Sequence, residues 1–364
     1  MTSIENHATL DTMSTAALGL DFAVFGAINL WVGSLNSDTS GQQDLVSYIF
    51  HESRPDLGEV NVISQRVIVK VPGQGTDVFL PWSNYHRMGS LWFWQGWREG
   101  TNLCASTHPA QPVLRIALEA PPANLIGPSL TVASGEFDVF FISAGGQELG
   151  LARFLPPKRD TPGSGSVLWR WPLPQKPIAA CAALGSAKLG SPRQIVLVMK
   201  ETEGLSLLLL DLADGRQPQH PVKIQIPKYH AIPGAQPALR IDDEGTSHIS
   251  LLVAADSAFQ DLSVVDVSVP NGDAAASEPQ VSHVRKLTQT PVAVGITFQA
   301  RPDRPMRCDW AVLLPDGTIA HNHSQDSTMR PRGKPVTPLQ MVAMSQATYI
   351  LTIGDDGPML ETLR

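Results

Sequence analysis

Charge of either sign is sparse in this 364-residue chain: 17% of residues are charged, with 27 Lys and Arg against 34 Asp and Glu, for a formal net charge of −7. A phosphate backbone is gripped by clustered Lys and Arg, so nucleic acid is excluded as the expected partner. The one basic cluster, Arg330, Arg332 and Lys334, sits among prolines and reads as a solvated loop. Cysteine is scarce as well. Cys104, Cys181 and Cys308 show no CxxC spacing and cannot all pair with one another, so reduced, buried thiols and a cytoplasmic location are expected. The opening MTSIENHATLDTM holds no Lys or Arg, so the positive n-region of a secretory signal is missing. Residues 16 to 35 approach membrane-span length, but Asp21 and Asn29 interrupt them and their Gly-rich alternation fits a buried strand pair, so no membrane span is expected. The chain has no GxSxG, no HExxH and no glycine-rich phosphate loop, and nothing calls for a cofactor.

What the chain does have is apolar and turn-forming material. Hydrophobic residues reach 43%, with 30 prolines and 29 glycines. Pro and Gly are costly inside helices and central strands, so many short strands joined by many turns are implied. A pattern of Pro, apolar run, turn and alternating run opens at Pro128, Pro177, Pro237, Pro291 and Pro338. Residues 177 to 227 show it best: IAACAAL, a small-residue run suited to a crowded innermost strand, then RQIVLVMK, LSLLLLDL and VKIQIP. Upstream, FAVFGA to VISQRVIVKV and VFLPWS to VLRIALEA fill two more units. Residues 291 to 336 give PVAVGITF, CDWAVLLP, TIAHNHS and a degraded fourth strand near GKPVTP.

A fixed period of this size built from short strands signifies a β-propeller. The fold class is therefore all-β, a single propeller over residues 22–364, with first strands starting near Val24, Phe79, Leu130, Ala179, Ala238, Val292 and Gln340. Seven four-stranded blades follow from that count; six blades plus a separate N-terminal element is the competing one. The final unit runs out at Arg364, so the segment 1–21 is the available donor to complete it and close the ring.

At PSLTVASGEFDVFFISAGGQELGLARF, GSLWFWQGW and PDGTIAHNHS the order is Pro, apolar strand, aromatic strand and Gly turn. This resembles the tectonin-like and bacterial fucose-binding lectin propellers over three of the seven units. The resemblance implies sugar pockets between blades, lined by aromatic and His or Gln positions. The units at Pro177 and Pro237 carry neither.

Several residues are candidates for chemistry. Trp92, Trp94 and Trp97 fall within six residues, with Trp169 and Trp171 further on. On a strand Trp92 and Trp94 share a face, and exposed indoles would form a stacking platform or partner anchor; packing between blades is the alternative. His321 and His323, two apart on a strand, would point one way and, with Asp326, could hold a divalent metal; a polar strand facing solvent is the competing reading. The turns at Asp242 to Ser247 and Asp355 to Pro358 read as hairpin corners, lacking full calcium-loop spacing.

Without catalytic motifs, and with unequal blades and Pro-rich loops such as PPKRDTPGSGS, the leading expectation is a non-catalytic platform for protein partners. The alternative is a carbohydrate-binding propeller using Trp92, Trp97 and His323. A third reading is a glycan hydrolase with Asp242, Asp243 and Glu244 facing the central channel.

Overall fold

The structure is a computed structural model, and it describes residues 16–22, 28–37, 42–54, 59–72, 76–79, 81–82, 94–107, 112–131, 135–185, 193–212, 216–218, 221–270, 276–298, 307–323, 328–343, 347–355 and 357–363. Among these residues there is no helix, and the strands form seven sheets of mostly antiparallel neighbours. The first holds Ala16–Phe22, Ile28–Ser37, Gln42–Arg54 and Glu59–Pro72. The second holds Thr76–Phe79, Gln95–Glu99, Asn102–Ser106 and Leu114–Ala117. The third holds Asn124–Thr131, Phe137–Ile142, Glu148–Leu155 and Ser164–Pro172. The fourth holds Ala179–Leu184, Arg193–Glu201, Gly204–Asp211 and Val222–Pro227.

In the fifth, His230–Ala231 and Ala238–Ile241 share one edge of Ser247–Ala254, followed by Asp261–Val269 and Gln280–Lys286. The sixth holds Ala293–Phe298, Cys308–Leu313, Ile319–His321 and Thr328–Met329. The seventh repeats the split edge, with Lys334–Pro335 and Met341–Ala343 on one side of Thr348–Gly354 and Gly357–Thr362 on the other.

Each sheet buries its faces against the next. One apolar cluster joins Trp94 and Leu103 of the second sheet to Phe137 and Phe154 of the third. Others join the third to the fourth, the fourth to the fifth, the fifth to the sixth and the sixth to the seventh. The first and second sheets touch through Ala16–Phe22 and Thr76–Phe79. Val46, Tyr48 and Phe50 of the first sheet pack on Val342, Tyr349 and Leu351 of the seventh, which closes the ring. Side chains alternate about each strand, so a strand buried on both faces needs apolar residues throughout, as in IVLVM of the fourth sheet.

The structure moves three sequence boundaries. The third unit begins at Pro122, not Pro128: the Ala123 N–H bonds the Ile142 carbonyl just as the Ile178 and Val292 N–H groups bond Val198 and Leu313. Pro128 lies inside the strand at a register shift between Ile126 and Leu130, where its missing N–H interrupts the ladder. On the other edge Ser129 and Leu130 pair in parallel with Pro81 and Trp82, a segment diverted from the second unit. The fourth strand of the sixth sheet is Thr328–Met329, and Lys334–Pro335 of the GKPVTP stretch belongs to the seventh sheet. The first strand of the first sheet is Ala16–Phe22, paired with Ile28–Ser34, while Val24 falls outside the described residues. The rest of the N-terminal segment, residues 1–15, also lies outside them.

A polar contact recurs where second strands begin. The second residue of one such strand meets the first residue of the next sheet's: Arg193 Nε lies 2.9 Å from Asp138 Oδ2, Ser247 Oγ donates to Gln194 Oε1, and Thr348 Oγ1 donates to Asp309 Oδ2. All six side chains are buried. The third-to-fourth contact is the most elaborate, because Asp138 also receives Arg153 through Nε at 2.6 Å and Nη2 at 2.9 Å, and Glu136 lies 3.1 Å from Arg153 Nη1. Such paired, hydrogen-bonded charge is the form in which a buried ion is tolerated.

Candidate functional site

A groove of about 650 Å³ opens where the second sheet hands over to the third. Its walls come from the connection Leu118–Pro122, the hairpin around Ser143–Glu148 and the end of the outer strand, Arg170–Pro174. Pro122, Pro172 and Pro174 give it a stiff rim. The wall beneath is built in layers from three neighbouring strands. Gly150 pairs with Phe141 on one side and Arg170 on the other. A Cβ on Gly150 would lie 2.2 Å from Phe141 Cζ, so only glycine lets this ring lie flat across the strand. The Arg170 guanidinium then covers the ring, 5.9 Å from its centroid. Arg170 is held in place by Glu148 at 3.2 Å and more loosely by the exposed Glu119 at 3.9 Å. Apolar wall, fixed planar cation and flanking carboxylates make a surface suited to recognition.

Related pairs recur around the ring without the groove. A basic side chain on the outer strand meets a carboxylate beside the second hairpin in Arg115–Glu99 and Lys223–Glu201, at 3.9 and 2.8 Å, and the His283 imidazole Nε2 lies 3.0 Å from Asp261 Oδ1 in the same way. In the sixth sheet Arg330 donates to the Asp316 carbonyl at 3.3 Å. Exposed pairs of this kind stabilise little; they tie outer strands to hairpins. Between 14 and 22 residues separate the partners, too far for a sequence motif to show.

The tryptophans divide. Trp94 and Trp97 are buried, at 1% and 0% exposure. Trp94 stacks on Phe137, centroids 5.4 Å apart, and donates its indole N–H to the Gly135 carbonyl at 2.8 Å; Trp97 donates to Glu99 Oε1 at 2.9 Å. Indoles so enclosed pack sheets together and offer no stacking platform. Trp169 and Trp171 are partly buried against the cluster between the third and fourth sheets, on the face opposite Arg170. Trp92 lies outside the described residues.

The histidines do not share a strand face either. The strand ends at His321, and His323 follows in a turn, because Asn322 bonds back to the Trp310 N–H at 3.2 Å and the Cys308 carbonyl at 3.0 Å. His321 is buried and its Nδ1 accepts from the His323 N–H at 3.2 Å; His323 Nε2 reaches Asp309 Oδ2 at 3.2 Å. Asp326 lies outside the described residues, and among those described no three His, Cys, Asp or Glu side chains gather in a way that could hold a metal. Asp242 organises its own turn: Oδ1 accepts from the Glu244 and Thr246 N–H groups at 3.1 and 2.8 Å, and Oδ2 meets His248 Nε2 at 2.9 Å. Asp243 and Glu244 are exposed on that turn and do not join Asp242 in an enclosed site.

No protein-family model matches the chain, and no curated protein matches it by sequence. Solved structures do. BBS1N, crystallised in complex with ARL6DN, superposes with a TM-score of 0.50 at 11% identity over 97% of this chain and 93% of its own. The fold is a β-propeller. A mutant of AofleA from Arthrobotrys oligospora follows at 0.49 and 9% identity, over 96% of this chain and 89% of its own. An alpha-L-arabinanase of Penicillium chrysogenum, complexed with arabinobiose, gives 0.44 and 8%, over 98% and 94%. At such identities the likeness concerns the propeller fold alone, and that fold serves unrelated activities. Among the described residues of this propeller, no helix is long and apolar enough to cross a membrane.

Proposed function

We propose that this propeller is a non-catalytic platform for a protein partner, with the groove between the second and third sheets as its contact. The observation that carries the reading is the layered Gly150–Phe141–Arg170 wall inside the proline rim. The other polar clusters described above have structural partners: Asp138 with two arginines, Asp309 with Thr348 and His323, Asp242 with its own turn and His248. A rigid rim limits the conformational entropy lost on docking, which favours a shaped protein contact. BBS1N, a propeller of similar shape, is itself seen in complex with ARL6DN.

The test is isolation of the intact protein from its native lysate beside two groove variants, Glu119→Lys and Arg170→Glu, with a simple-sugar elution control. A stoichiometric protein that survives sugar and is lost from both variants supports the platform. A partner retained equally by both variants, or released by sugar, overturns it and moves the weight to carbohydrate.

A further inference from the structure

The faces that successive sheets turn toward their neighbours provide an internal control. Behind the polar residue at the start of each second strand, the next inward positions are apolar: Phe140 and Ile142 after Asp138, Val196 and Val198 after Gln194, Ala311 and Leu313 after Asp309. The fifth sheet departs from this. After His248 comes Ser250, and only then Leu252. Across the ladder stand Ser268 and Asp266, before Val264 restores the apolar face. The polar layer between the fifth and sixth sheets is therefore two residues deep where those of the third-to-fourth and fourth-to-fifth junctions are one; in the sixth sheet Ala311 faces His321 across the ladder.

Its hydrogen bonds also run differently. Ser268 Oγ lies 3.1 Å from His248 Nδ1, His248 Nε2 lies 2.9 Å from Asp242 Oδ2, and Ser250 Oγ donates to Asp266 Oδ1. All of these groups belong to the fifth sheet. At the place held by Arg193, Ser247 and Thr348 in the other contacts, the sixth sheet presents Cys308, a poor hydrogen-bonding group that Ser250 and Asp266 both approach. Parting the third and fourth sheets would strand Asp138 and Arg193; parting this seam gives up the weak contact of Ser250 with Cys308, while His248, Ser250 and Asp266 keep their partners within the fifth sheet.

We propose that this end of the seam between the fifth and sixth sheets is a built-in gate, the place where the ring opens locally and admits solvent to Cys308 while the remaining junctions stay shut. The apolar part of the seam, from Leu252 to Trp310 and Val312, acts as the hinge side.

Thiol labelling of the full-length chain in native buffer, mapped by mass spectrometry, reads the opening. Burial first of all holds all three thiols above their ordinary value, Cys104 and Cys308 at about 12; Cys104 and Cys181 are buried and Cys308 is partly buried in the closed ring, so opening raises the access that Cys308 already has. Cys308 should react at least about ten-fold faster than Cys181, at a rate insensitive to low denaturant. Replacing the extra polar layer by Ser250→Val with Asp266→Val should slow Cys308 about ten-fold and leave Cys104 and Cys181 unchanged. Static exposure alone would leave the rate of Cys308 unmoved in that variant, and this result overturns the gate, as do equal rates for Cys308 and Cys181. Should that variant not fold, the pair His248→Asp with Cys308→Thr copies the contact of the sixth and seventh sheets. Hydrogen exchange at residues 308–310 then decides: slower exchange than in the wild type supports the gate, and unchanged exchange overturns it.

Discussion

Replacing Asp138 by Ala is the sharpest test of how the sheets are held. The carboxylate is fully buried, takes a forked pair of bonds from Arg153 at 2.6 and 2.9 Å, and meets Arg193 at 2.9 Å. Removing it leaves two guanidiniums, 14% and 8% exposed, without the carboxylate they share, beside Glu136. Breaking a buried ion pair from one side costs about 3–5 kcal/mol, against a total stability of roughly 5–15 kcal/mol. For a chain of this size the midpoint of thermal unfolding should fall by about 4–7 °C. Equilibrium urea unfolding followed by tryptophan fluorescence, with calorimetry beside it, measures the loss. The triple variant Asp138→Leu, Arg153→Met, Arg193→Met removes the charges together and should recover most of it, since apolar replacement of a whole buried network is often neutral or stabilising. A single variant within about 1 kcal/mol of the wild type would refute the argument that the network is a coupled, desolvated unit. So would a triple variant as damaged as the single one.

Gly150→Ala forces a methyl into the Phe141 ring and should cost about 1–3 kcal/mol, read as a lower urea midpoint, with a matching loss of partner binding because Arg170 rides on that ring. Glu361 accepts from the Arg332 and Gly333 N–H groups at 2.8 and 3.0 Å and from Thr352 Oγ1 at 2.7 Å; Glu361→Ala should speed hydrogen exchange in residues 330–335 with little change elsewhere. Burial pushes the Asp242 carboxyl up, yet His248 and the Thr246 and Glu244 N–H groups outweigh it and hold the group below its ordinary 3.8. A lowered carboxyl stabilises the fold above its unfolded pKa, and that contribution fades as pH falls through the folded value. Asp242→Asn should therefore flatten the loss of stability on acidification below about pH 4, measured by urea midpoints across pH.

How much of this was legible in the sequence depends on whether the signal is local. Ala179–Leu184 was readable because a small-residue run followed a Pro and preceded a continuous apolar strand, all within one blade. Pro128 misled because proline marks a chain break by its chemistry wherever it stands, and here the break is a register shift inside a strand. GKPVTP was misassigned because two-residue strands such as Thr328–Met329 carry too little pattern to bound a unit. The tryptophans show the limit for sites: alternation says which face Trp94 shares, but only the position of Phe137, some forty residues on, decides that the face is buried. Arg170 drew no notice beside its tryptophan neighbours, although it lines the groove and they do not.

The contacts between sheets also explain why the repeat is faint in sequence while the ring is regular. What recurs is a position, and the chemistry there need only be complementary: an ion pair for Asp138 and Arg193, an amide and a hydroxyl for Gln194 and Ser247, a carboxylate and a hydroxyl for Asp309 and Thr348. The same freedom makes the blades unequal at the opposite end. By register, the place of Phe141 in the third sheet is held by Leu197 in the fourth and Val312 in the sixth, and the place of Gly150 by Leu208 and Ala320. Lys223 stands where Arg170 does, with no ring beneath it to form the stack. A repeated small-ligand pocket requires the same stack at each junction, and one shaped contact requires it once. Among the junctions that can be compared, the layered wall occurs only between the second and third sheets, which is the distribution the proposed single contact requires and a pocket repeated at every junction does not give.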